Sequence, residues 1–100
     1  IGELASKGAT LLVTVDCGTA SHGPFSEAKR LGLDVVVLDH HQAPERLPEA
    51  RAIVNPNRQD DLSGLGHLCA AGVVLLTIVA LNRVLRERGF WTGRPEPDLM

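Results

Sequence analysis

Two polar clusters in this chain each follow directly on a short apolar run. Asp16 comes after residues 10–15 (TLLVTV), and Asp39, His40 and His41 come after residues 34–38 (DVVVL). Carboxylate oxygens and neutral imidazole nitrogens together suit manganese, magnesium, iron or zinc, and one carboxylate can bridge two ions about 3.5 to 4 Å apart. Such a pair hydrolyses phosphate esters: it acidifies a bound water into a nucleophile and stabilises the charge that develops on the phosphoryl oxygens and the leaving group. A plainer reading stands beside this one. An Asp after a strand often makes an Asx-turn or caps the next helix, and adjacent histidines often just lie on a loop. The joint placement of the two clusters favours chemistry, although a complete two-ion site needs more ligands than this chain displays.

The elements that must position these side chains are legible from hydrophobic pattern. Thr10–Val15 is continuous and β-branched, the pattern of a strand buried on both faces in a parallel sheet. Phe25, Ala28 and Leu31 recur at helical spacing after Ser21 or His22, and Gly32 closes that helix. Asp34–Leu38 repeats the buried-strand pattern, which makes a βαβ unit with parallel strands. Ala52, Ile53 and Val54 form a third short strand ending at Asn55-Pro56, and residues 56–66 read as a loop. A long helix is expected from about His67 to Arg88, apolar all round in its first half and therefore buried, with Gly89 at its end. The fold class is α/β, a parallel sheet with flanking helices. Ligands of such sheets bind outside the carboxyl ends of the strands, where both polar clusters stand.

Bulk properties bound the rest. One hundred residues, 44% hydrophobic and 22% charged, suit one small globular unit and argue against disorder. A net charge of −2 supplies no nucleic-acid footprint of its own. Cys17 and Cys69 are too isolated for a disulfide framework or a zinc pair and suit a reducing cytoplasm. The apolar run Leu68–Leu81 is shorter than the roughly 20 residues that cross a bilayer, so no membrane association is expected. Ile1–Lys7 reads as the tail of an amphipathic helix. His22 and His67 are weaker candidates for phosphate contact, and surface or capping roles suit them better. Gly64-Leu65-Gly66 is a weak anion-loop signal at a helix start. Cys17 reads as a packing residue. Asn55, closing the third strand, could face the same cleft and bind substrate or simply shape the turn.

The order of motifs carries more information than any one of them. VDCG at residues 15–18, DHH at 39–41, IVNPN at 53–57 and GLGHLCAAGVV at 64–74 resemble the RecJ-like branch of the DHH phosphoesterase family over nearly the whole chain. The resemblance implies that Asp16 is a metal-bridging carboxylate, that His40 is a metal ligand and that His41 contacts the scissile phosphate. Asp39 is implied to hold the histidines or a water in place from behind. It further implies manganese or magnesium, two ions in the complete site, and release of mononucleotides from the 5′ end of single-stranded DNA in recombination and repair. The family's first and fourth motifs, its DHHA1 domain and its oligonucleotide-binding fold are not found among these residues. The chain is therefore expected to be part of a DHH domain, inactive and weakly metal-binding alone, and prone to self-association through apolar surface. Alternatives are a DHH-type oligoribonuclease, cyclic-dinucleotide phosphodiesterase or pyrophosphatase, or a catalytically dead replication scaffold. A generic dinucleotide-binding module ranks last, because no GxGxxG follows the first strand.

Overall fold

The computed structural model describes residues 1–99. The elements run α1 (Gly2–Ser6), β1 (Leu11–Val15), α2 (His22–Arg30), β2 (Asp34–Leu38), β3 (Ala52–Val54) and α3 (Ala70–Glu87). The strands form one parallel sheet in the order β1-β2-β3. Leu11 pairs with Asp34 and Val15 with Leu38, while Val36 pairs with Ala52 and Leu38 with Val54. All three strands therefore end at one edge, and the segments that leave them meet there.

Side chains alternate across a strand, so β2 offers Val35 and Val37 to one face of the sheet. Phe25 and Ala28 of α2 pack with them and with Leu33 to form the core, and Ile1, Ala5, Leu12, Ala50 and Ile53 lie against it. α2 ends in a Schellman motif: Leu33 N–H donates to Ala28 O (2.9 Å) and Gly32 N–H to Lys29 O (3.1 Å). That turn satisfies the last carbonyls of the helix and delivers Leu33 into the core beside Ala28.

The structure departs from expectation at β1 and α3. β1 is an edge strand, and Leu11, Val13 and Val15 on its second face are exposed, Leu11 at 57%. A continuous apolar run does not reveal whether both faces have a covering layer. α3 begins at Ala70 rather than near His67, because Leu68 N–H closes a turn on Leu65 O and Cys69 is extended as N-cap. Nor is α3 buried: Val73 and Asn82 are, but Leu75, Leu76, Ile78, Val79, Leu81 and Val84 are exposed, Leu81 at 52%. Among the described residues, no helix is long and apolar enough to cross a membrane.

Candidate metal centre

Asp16 is the first residue beyond β1 and sits at φ 64°, the one non-glycine among the described residues in the left-handed region. Aspartate tolerates this region better than most residues, and the bend turns the chain out of the sheet while Asp16 N–H still donates to Leu38 O at 2.9 Å. Gly18 follows at φ 114°, where a Cβ would lie 2.6 Å from Thr14 Oγ1 and 3.0 Å from the Phe25 ring. Glycine there lets the loop press onto the sheet and the first core helix. The Asp16 carboxylate is held at the strand edge, with its side chain 58% exposed.

β2 supplies the rest. Asp39 is 2% exposed, and its carboxylate accepts five hydrogen bonds. Oδ2 takes Thr19 N–H (3.2 Å) and the Thr19 hydroxyl (2.8 Å). Oδ1 takes the backbone N–H groups of His40 (2.8 Å) and His41 (3.3 Å) and Nδ1–H of His41 (2.7 Å). Burial pushes this carboxyl up, but the bonds from His41, Thr19 and the two backbone amides outweigh it and hold it well below the usual carboxylate range. The bond to Asp39, reinforced by its charge, raises the His41 imidazole above its ordinary value. Because Nδ1 carries the proton that Asp39 accepts, Nε2 is the His41 nitrogen left for other work.

His40 Nε2 donates to Asp16 Oδ1 at 2.8 Å, and His41 Nδ1 stands 4.0 Å from the same oxygen. Donor atoms from Asp16, Asp39, His40 and His41 all lie within 4.8 Å of one another. Oxygen and imidazole nitrogen at this separation fit a divalent cation such as manganese. Asp16 and His40 are the donors suited to hold one, since Asp39 is buried and occupied in orienting the histidines.

Sequence reasoning placed Asp16, Asp39, His40 and His41 near one another, and the structure brings them together. It places His22 at the start of α2 and His67 in the turn before α3, both exposed and outside this donor cluster. Cys17, read as a packing residue, is exposed. Asn55 is 3% exposed, and its amide donates to Thr19 Oγ1 (3.1 Å) and His41 O (2.9 Å) while its carbonyl accepts Asn57 N–H (2.8 Å). It reaches the site through the backbone of His41. Thr19 escaped notice in the sequence, and Asn57 entered only as the last residue of IVNPN, with no role of its own. The only signal for Thr19 was a hydroxyl just after a strand-ending glycine, which ordinarily reads as a turn or cap.

The comparisons with known proteins decide the family. Residues 3–92 match the model of the DHH family, N-terminal domain. The chain belongs to the DHH family. Among curated relatives, this DHH chain is 43% identical to the single-stranded-DNA-specific exonuclease RecJ of Dickeya dadantii, with 99% of the chain and 18% of that relative covered. It is 38% identical to RecJ of Escherichia coli K12 over 94% of the chain and 16% of the relative. With RecJ of Thermus thermophilus the identity is 36% over 75% of the chain and 11% of the relative. The crystal structure of exonuclease RecJ bound to manganese superposes with a TM-score of 0.68 at 30% identity, covering 97% of this chain and 23% of that one. The chain thus spans less than a fifth of the length of these curated relatives.

Proposed function

We propose that this chain contributes the central metal-binding segment to the catalytic domain of a RecJ-type exonuclease. The enzyme would act on single-stranded DNA from the 5′ end, in recombination and repair. The observation that carries this reading is the convergence of Asp16, His40 and His41 at the ends of two paired parallel strands, within one donor cluster. The likeness to RecJ over 97% of the chain, in a structure bound to manganese, supports the ion, and the relatives named single-stranded-DNA-specific exonucleases support the substrate.

Asp16 and His40 would hold manganese or magnesium, with Asp16 able to bridge two ions. Held there, such ions would acidify a water and stabilise charge at the phosphoryl group. His41 would present Nε2 to an oxygen of the scissile phosphate, and Asp39 fixes the ring by accepting from Nδ1–H. Asn55 serves the substrate indirectly by holding the His41 backbone. A two-ion site would need further ligands beyond Asp16 and His40. The net charge of −2 supplies no surface of its own for gripping a strand. Two exposed free cysteines suit a cytoplasmic setting.

The test is an assay of the intact protein on 5′-labelled single-stranded DNA with manganese, with Asp16→Ala and His40→Ala variants shown to be folded by circular dichroism. Release of mononucleotides by the wild type and its loss in both variants is the expected result. An inert wild type, or variants that keep activity, overturns the reading.

A further inference from the structure

Asn57 lies outside the donor cluster, yet its side chain joins two loops at the site's edge. Its amide donates to His40 O (2.5 Å) and to Gly66 O (3.0 Å), and its backbone N–H is held by Asn55 Oδ1 (2.8 Å). Asn57 O also accepts Ala43 N–H at 3.4 Å, so the residue is stitched to the chain at His40 and again just after the histidine pair. A Cβ on residue 66 would come 2.5 Å from Asn57 Oδ1. The Gly66 turn can therefore approach only because it is glycine, and this contact seats the turn that leads into α3. An asparagine suits the position because it offers two N–H donors to two carbonyls. Aspartate of the same shape has none and would repel both.

We propose that Asn57 is a positioning residue for the metal centre, and that it acts by clamping the His40 carbonyl to the Gly66 turn. His40 has one side chain to place against Asp16, and the torsions that place it begin at a backbone whose carbonyl Asn57 holds. Gly66 acts through the same clamp although it bears no donor atom. Groups behind metal ligands commonly matter about 10- to 100-fold in ion affinity. This rests on the reading of Asp16 and His40 as metal ligands, and the test separates the two.

Manganese affinity of the intact protein, measured by electron paramagnetic resonance of free and bound Mn2+ well below each variant's melting temperature, is the readout. Asn57→Ala and Gly66→Ala are each expected to weaken binding about tenfold or more. Asn57→Asp weakens it further. The Asn57→Ala/Gly66→Ala double variant loses no more than the worse single one, because both changes break one contact. Leu33→Ala, a core truncation remote from the site, lowers the melting temperature but leaves manganese affinity unchanged, which separates positioning from general destabilisation. Folded Asn57 and Gly66 variants with wild-type affinity, or with additive losses, overturn the proposal. If these variants bind normally while Asp16→Ala does not, only the positioning role falls. If Asp16→Ala itself binds normally, the metal-centre reading falls and takes this proposal with it.

Discussion

Asp39 is the residue on which the site's order depends, although it is the member of the cluster least suited to hold an ion. With both oxygens occupied by Thr19, His41 and two backbone amides, it behaves as an anchor for the loop that carries both histidines. Asp39→Asn puts an N–H where an acceptor is needed, so a loss of about 1–3 kcal/mol in urea unfolding is expected, along with weaker manganese binding in titration. The pH dependence has two limbs. Because the folded Asp39 carboxyl is depressed, its contribution is present above the unfolded carboxylate value of about 4 and is lost as pH falls below it. His41 is raised, so its contribution is complete below about 6.5 and fades as pH climbs through its folded value. Melting temperatures of the ion-free protein are therefore expected to fall toward acid, and Asp39→Asn should flatten that limb. Manganese affinity runs the other way from the His41 limb, rising with pH as protons leave the donor atoms; calorimetry in buffers of different ionisation enthalpy would count those protons.

At the scale of elements, the turn after β1 is where the fold and the site are most tightly joined. Gly18→Ala meets both a positive φ and a Cβ contact of 2.6 Å with Thr14 Oγ1. A stability loss of about 1–3 kcal/mol is expected in chemical denaturation, with weaker manganese binding because Asp16 lies two residues upstream. Thr14 accounts for the crowding, since its hydroxyl is already bonded to Cys17 O at 2.9 Å. β2 and β3 were legible to the residue because each is a short apolar run between turn signals, and the α2 stop was legible because Gly32 is a Schellman glycine. The start of α3 was not. His67 to Cys69 continue the apolar pattern, yet the turn from Leu65 to Leu68 and the extended Cys69 cap delay the helix, and hydrophobic periodicity carries no information about either.

For the whole molecule, the exposed apolar residues on the second face of the sheet, beside the buried Leu38, and on the outer side of α3 are the dominant feature. Leu11, Val13, Val15 and Val54 on the sheet and Leu75, Leu76, Leu81 and Val84 on the helix are all exposed. Scattered apolar residues are ordinary on a surface, but this many on two elements make a sticky one. The 100-residue polypeptide on its own is expected to self-associate at micromolar concentration, and sedimentation velocity would show it; a clean monomer there would mean that these side chains repack in solution.

Residue order alone determined the fold class, the family and the placing of Asp16, Asp39, His40 and His41 at the strand ends, because β-branched runs, turn glycines and the DHH motif are local signals. Asp16 and Asp39 looked alike in that order, each an aspartate closing an apolar run. Their separation into an exposed carboxylate against His40 and a buried one beneath His41 depended on Thr19 and Asn55, which come from the loops after β1 and β3. The same holds for Asn57 and Gly66, whose contact spans nine positions and closes only when β3 is in register beside β2. A side chain's own type tells which bonds it can make. Which bonds it does make is settled by the partners that the packed sheet brings within reach.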